Sequence, residues 1–175
     1  VPETRQLALV RYKSEQYSEA LENYERMRAS GDLSVETVRG LAELYIHYGQ
    51  VTQAIEVVET YVEKNPNDLG ALRRLARYYQ YDQRYEDYRG ILERMQQIDP
   101  QPETLRKLSQ IYNRLGEIKQ QIRILQKLVA LPQAKPDDFL DLSRLLAGRY
   151  RVAEAIDVLN RLRQTRADGF TKRAA

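Results

Sequence analysis

Residues Val35–Asp68 read VETVRGLAELYIHYGQVTQAIEVVETYVEKNPND, and this stretch decides the fold. Two runs of helical period are joined at Gly49-Gln50, and Pro66-Asn67-Asp68 stops the second. In the first run Leu41, Ala42 and Tyr45 fall on one side. In the second, Ala54, Val58 and Tyr61 recur at i, i+4 and i+7, the spacing of an amphipathic helix. Neither stripe can be buried by its own helix. Paired antiparallel, the two helices cover each other and leave one apolar flank, which a further copy must cover.

The unit recurs. Copies begin at Val1, Val35, Leu69, Pro102 and Pro136, spaced by 34, 34, 33 and 34 residues. Position 7 is Leu7, Leu41, Leu75, Leu108 and Leu142, and position 8, small where helices touch, is Ala8, Ala42, Ala76, Ser109 and Ser143. Position 11 is Arg11, Tyr45, Tyr79, Tyr112 and Leu146, and position 24 is Tyr24, Val58, Leu92, Leu125 and Leu159. A helix–turn–helix unit of this length, with these small and aromatic positions and a closing Pro, resembles the tetratricopeptide repeat (TPR). The resemblance implies an all-α, right-handed α-solenoid of five repeats, at 1–34, 35–68, 69–101, 102–135 and 136–169, forming one continuous array, with 170–175 a tail.

Helix boundaries follow from local chemistry. In the first repeat the helices span about Glu3–Ser14 and Ser18–Ser30, with the Ser18 hydroxyl as N-cap and Gly31-Asp32 as the stop. In the third, Asp68 caps a helix ending near Tyr81, and the next covers about Arg84–Gln97. The fourth and fifth place helices near Glu103–Leu115, Ile118–Leu131, Asp137–Ala147 and Val152–Gln164. Pro132-Gln-Ala-Lys-Pro136 is the loosest internal link. Asp168-Gly169-Phe170 reads as the start of a further helix or as a frayed tail. Position 20 is Ala20, Ala54 and Ala155, but Tyr88 and Gln121 in the third and fourth copies. Those two predict a wider helix crossing or a slipped register.

The chain has 175 residues, no Cys, one His, and a net charge of +3. Without Cys there is no disulfide, thiol nucleophile or thiolate metal site. His47, the only histidine, has no partners in any catalytic or metal-ligand spacing, and the eight Gly are scattered rather than gathered in a phosphate loop. These features point away from an enzyme and from any cofactor. No apolar run approaches the ~18 residues of a membrane span, so no membrane contact is expected. Val1 is not an initiator, and the sequence reads as an excised piece of a longer protein.

What remains is surface. By the TPR resemblance, the first helix of each repeat lines a concave groove near positions 2, 5, 9, 12 and 13. Position 5 is Arg5, Arg39, Arg73 and Arg106, then Leu140, a ladder of guanidinium groups. Position 9 adds Glu43, Arg77, Gln110 and Arg144, and positions 12 and 13 add Tyr12, His47, Tyr81 and Arg114. Guanidinium forks match carboxylates and phosphates, and Tyr offers flat area at low entropic cost. The expected partner-binding set is therefore Arg5, Tyr12, Arg39, Glu43, His47, Arg73, Arg77, Tyr81, Arg106, Gln110 and Arg114. A solvated face is the competing reading. Arg39 has Glu36 and Glu43, and Arg106 has Glu103, at helical pairing distance, whereas Arg5, Arg73 and Arg77 have no acid three or four places away. Of the thirteen Tyr, Tyr45, Tyr79 and Tyr112 belong to the core, and Tyr12, Tyr48, Tyr78 and Tyr81 are the ligand-contact candidates.

A TPR subclass that grips terminal carboxylates needs Asn at two positions. Here the clamp positions hold Arg5, Leu9, Gly40, Gly70 and Arg74, with both Asn absent, which disfavours that mode. Three functions follow from the residues and the resemblance. The first is a protein-interaction scaffold recognising an acidic or extended segment, with composition similar to periplasmic arrays of bacterial envelope machinery such as exopolysaccharide export of the Pel and cellulose type. The second is a binder of an anionic polysaccharide or nucleic acid, although +3 is low for duplex DNA. The third is a regulatory domain of a larger enzyme. Val152, Ile156, Leu159 and Leu162 would leave the last repeat with an open apolar flank, predicting end-to-end self-association.

Overall fold

The computed structural model describes residues 4, 8–11 and 16–171, with side chains as far as residue 165. The helices among them are α1 (Tyr17–Ala29), α2 (Val35–His47), α3 (Val51–Lys64), α4 (Leu69–Tyr81), α5 (Tyr85–Ile98), α6 (Pro102–Arg114), α7 (Ile118–Val129), α8 (Pro136–Ala147) and α9 (Val152–Thr171). No strand occurs among the described residues. The chain divides into two compact units, Val1–Ile91 and Leu92–Ala175. In the first, α2 packs on α3, and α1 and α4 flank that hairpin. In the second, α6–α7 and α8–α9 are hairpins joined through α7 and α8. Each unit is thus a row of sequential helical hairpins, the α-solenoid arrangement of TPR repeats.

The stripes read from Val35–Asp68 form the core of the first unit. Leu41, Ala42, Ala54, Val58 and Tyr61 are buried, as are Leu75, Leu108 and Leu142 at the equivalent of Leu41. Helices α2, α4, α6 and α8 begin at Val35, Leu69, Pro102 and Pro136, where the sequence repeats. Pro102 and Pro136 suit a first turn, because the missing N–H would have no intrahelical acceptor there.

Capping explains two starts and corrects a third. The Ser34 hydroxyl accepts from the Thr37 N–H, and the Asp68 carboxylate accepts from Gly70 and Ala71 N–H at 2.8 and 3.1 Å. Tyr61 donates its hydroxyl to the other Asp68 oxygen at 2.9 Å. Burial alone would raise the Asp68 carboxyl, but these hydrogen bonds and Arg74 outweigh it and hold the group below the usual carboxylate range. Helix α1, by contrast, starts at Tyr17 with Gln16 at its N-cap and no side-chain cap, so Ser18 lies inside the first turn and caps nothing. The Asp168-Gly169-Phe170 stretch opens no new helix; it continues α9 to Thr171.

Tyr88 and Gln121 are both buried, and α7 begins at Ile118 as the repeat requires. The register is kept, and no slip occurs. Gln121 is absorbed at a cost in polar pairing, since its Oε1 is buried without a partner, and burial pushes the Tyr88 phenol up.

In the second to fifth repeats the turn inside the hairpin uses a left-handed residue fifteen places into the repeat. Gly49 and Gly116 fill it at φ 71° and 72°, but Gln83 and Tyr150 occupy it at 59° and 62°. A side chain there is strained by about 1 kcal/mol or more relative to Gly. Tyr150 is almost fully exposed, so its ring contributes little burial. Tyr150→Gly should raise the melting temperature of the protein by about 2–4 °C. A fall in melting temperature would show that the ring, not the backbone, decides this turn.

Candidate functional site

Between α2 and α4, within the first unit, lies an open cavity of about 380 Å³ lined by Glu43, Ile46, His47, Arg77, Tyr78 and Tyr81. The helical repeat places these residues together. Arg39, Glu43 and His47 follow at i, i+4 and i+8 on α2, and Arg73, Arg77 and Tyr81 do the same on α4. All but Glu43 are exposed, Tyr81 to 73%. The floor is different. Tyr78 is only 3% exposed, and its hydroxyl is buried without a hydrogen-bond partner. The Arg77 guanidinium sits 5.5 Å from the centre of the Tyr78 ring. The His47 ring packs against Tyr17 at 4.3 Å, tilted by 43°, and meets the edge of Tyr48 at 5.2 Å.

The charge balance of the cavity is set by one ion pair. Among the described residues Glu43 is the only carboxylate lining it, and Arg74 Nη1 reaches Glu43 Oε1 at 3.2 Å. The proximity of Glu43 to Arg39 in sequence is therefore not what engages it; the structure pairs Glu43 with the next repeat. Arg77 then leaves the cavity with a surplus positive charge.

Of the expected binding residues, four gather here: Glu43, His47, Arg77 and Tyr81. Arg39 and Arg73 lie one turn away on the same stripes. Arg5 and Tyr12 lie outside the described residues. Tyr78, one of the expected ligand contacts, is a buried ring that lines the cavity, and its unsatisfied hydroxyl singles it out. Tyr48 is 43% exposed but is turned against His47.

In the second unit Arg106 is a structural pin. Its Nε and Nη2 donate to the two Asp138 oxygens at 3.1 and 2.9 Å, Nη2 also reaches the Gln133 carbonyl at 2.9 Å, and Nη1 reaches Glu103 at 3.4 Å. Asp138 accepts in addition from the Lys135 N–H at 2.7 Å. The donors of Arg106 are thus engaged within the fold, unlike the exposed side chains of Arg39 and Arg77. Gln110 is exposed beside a cavity of about 230 Å³ whose lining includes Asp137, Asp138 and Asp141, and Arg114 is exposed near the end of α6.

One regular feature escaped the sequence reading. The core tyrosines are also donors. Tyr45 reaches Glu25 at 3.1 Å, Tyr112 reaches Glu93 at 2.5 Å, and Tyr79 bonds Glu59. Each rung joins position 11 of one repeat to position 25 of the repeat before it. Where position 11 becomes Leu146, position 25 becomes Gln126, so both partners are lost together. The recurrence of Glu25, Glu59 and Glu93 at the repeat spacing was the available signal. Burial, then the Glu59 carboxylate, pushes the Tyr79 phenol well above its ordinary value, and burial, then the Glu25 carboxylate, raises Tyr45.

A family model for the tetratricopeptide repeat matches residues 11–78. No curated protein matches the sequence. Among solved structures, the chain is similar to a crystal structure of MamA protein, with TM-score 0.67 and 16% identity over 98% of this chain and 96% of that one. A MamA structure from AMB-1 matches with TM-score 0.66 and 17% identity, covering 93% and 89%. Nearly identical TPR-like repeats from a Podosopora anserina protein described as a kinesin light chain match with TM-score 0.55 and 21% identity, covering 96% and 95%. At these identities the likeness establishes the fold and nothing finer. No helix among the described residues is long and apolar enough to cross a membrane.

Proposed function

We propose that this chain is a non-catalytic protein-interaction module, built of the five repeats set out above, and that its working surface is the α2–α4 face of the first unit. The observation that carries the reading is the exposed run Arg73, Arg77 and Tyr81 beside a cavity whose one carboxylate among the described residues, Glu43, is already paired with Arg74. Such a surface suits an extended, acidic protein segment. Arg73→Glu with Arg77→Glu should weaken the partner captured by the full-length protein by more than tenfold. The melting temperature should stay within about 2 °C, the scale of exposed substitutions. Unchanged affinity removes the proposal.

The same cations would attract an anionic polysaccharide or a single-stranded nucleic acid, and a salt-dependent gel shift with such polymers separates that reading from a protein partner. A bacterial envelope complex, with a periplasmic location and a role in exopolysaccharide export, rests on the resemblance of composition alone; co-purification with the products of neighbouring genes tests it. The third reading, a regulatory domain within a larger enzyme, predicts an activity in the full-length protein that responds to the same double substitution. On α9, Val152 and Ile156 are more than half exposed and Leu159 is 41% exposed, with Leu162 half-buried. We take this stripe as a contact for a second copy, which light scattering at high concentration reads directly.

A further inference from the structure

We infer that the α2–α4 cavity is a subsite for one acidic side chain of the bound segment, whose carboxylate takes the Tyr78 hydroxyl and the Arg77 guanidinium together. This rests on the reading of the same face as a protein-binding surface and goes further by fixing which residue type enters the cavity and what receives it.

Three observations converge. The Tyr78 hydroxyl is a buried polar group with no partner, in a side chain that lines the cavity. Buried hydroxyls are almost always satisfied, so an orphan beside an open cavity marks a place where an incoming group can complete the pairing. The guanidinium next to it can only donate. A single ligand group that satisfies both must accept at least two hydrogen bonds, the cation favours one that carries negative charge, and among protein side chains a carboxylate is that group. Finally, the opposing charge is already handled, because Glu43 faces Arg74 at 3.2 Å and does not cancel Arg77.

Access and size agree. Arg77 is exposed and lies over the Tyr78 ring at 5.5 Å. The hydroxyl is itself buried, so the subsite requires the entering carboxylate to displace the side chains that cover it. About 380 Å³ accommodates a glutamate side chain with the backbone on either side of it, and Ile46 offers an apolar surface for the methylene stem. The exposed Tyr81 ring covers the neighbouring chain.

The test uses the full chain and a fluorescein-labelled, end-blocked ten-residue peptide of alternating Glu and Ser, read by fluorescence anisotropy at low salt. A second peptide carries Gln in place of every Glu. The wild-type protein should bind the Glu peptide, and the Gln peptide at least tenfold more weakly. Tyr78→Phe removes only the hydroxyl. It should weaken the Glu peptide by at least fivefold while the melting temperature stays level or rises, because no internal hydrogen bond is lost. Equal affinity of wild type and Tyr78→Phe, equal affinity for the two peptides, or no binding of the Glu peptide each overturns the subsite. So does a clear fall in the melting temperature of Tyr78→Phe, which would mean that the hydroxyl is partnered inside the fold. If Arg73→Glu with Arg77→Glu abolishes capture of the natural partner while Tyr78→Phe leaves the peptide unaffected, the interaction surface stands and the subsite falls. If charge reversal affects neither partner nor peptide, both fall.

Discussion

Arg106→Ala should destabilise the second unit by about 3 kcal/mol, the low end of the range for breaking a buried ion pair. The side chain of Asp138 is 8% exposed, and that of Arg106 16%. Removing the guanidinium strands a carboxylate inside the α6–α8 interface with the Lys135 N–H as its remaining bond in that set. The Gln133 carbonyl loses its donor as well, so the Pro132–Pro136 link is released from α6. Sequence marked that link as the loosest in the array; the structure fastens it to α6 through Arg106 and to α8 through the Lys135 N–H on Asp138. Hydrogen exchange should speed up across α6, the link and α8, with α2 and α4 unaffected. Arg106→Ala with Asp138→Ala should cost less than the sum of the two, because the stranded charge is then absent. Additive losses, or a loss below about 0.5 kcal/mol as for an ordinary surface site, would show that the pin carries no weight.

The second large effect concerns a glycine in the middle of a helix. Gly40 lies in α2, where Ala would be better by about 1 kcal/mol on propensity alone. A Cβ at this position would stand 2.4 Å from Cζ of Tyr24 and 2.7 and 2.8 Å from its Cε atoms. Tyr24 is buried, so its ring cannot swing into solvent without opening the α1–α2 interface. Gly40→Ala should therefore destabilise the first unit by about 1–3 kcal/mol, the usual cost of overpacking. In a Tyr24→Leu background the sign should reverse, since the space is then free and the propensity gain remains. Urea melts of the single and double variants measure this cycle. A neutral Gly40→Ala in the wild-type background would mean that the ring has room it does not have in this structure.

These two sites show what could be read from the chain and what could not. Leu41, Ala42, Ala54 and Val58 repeat at helical period, so burial and the hairpin could be deduced from spacing. The helix starts at Pro102 and Pro136 and the Asp68 cap were equally open to reading, because each is a local rule about one backbone N–H. Gly40 was visible only as a departure from a clamp motif. Its reason is a ring sixteen residues earlier, and no periodicity reports such a contact. Arg106 looked like one rung of a basic ladder because Arg recurs at position 5. Its partner Asp138 is in the next repeat, 32 residues on, so pairing within one helix pointed to Glu103 alone. The same limit hid the Arg74–Glu43 pair and the Tyr–Glu rungs. The cavity residues Arg77 and Tyr81 could be found because they share a stripe. Tyr78 could not be assigned its place, since an unsatisfied hydroxyl is a property of packing.

The central claim is that the α2–α4 face, and not the outer helices, meets the partner. A photo-crosslinking amino acid placed at Tyr81 and, separately, at the exposed Gln53 of α3 in the full-length protein tests it in the cell. The account predicts adducts from position 81 that map to an acidic, extended segment of a protein, and none in common from position 53. The same partner captured at both positions, or captured at position 53 alone, would contradict it.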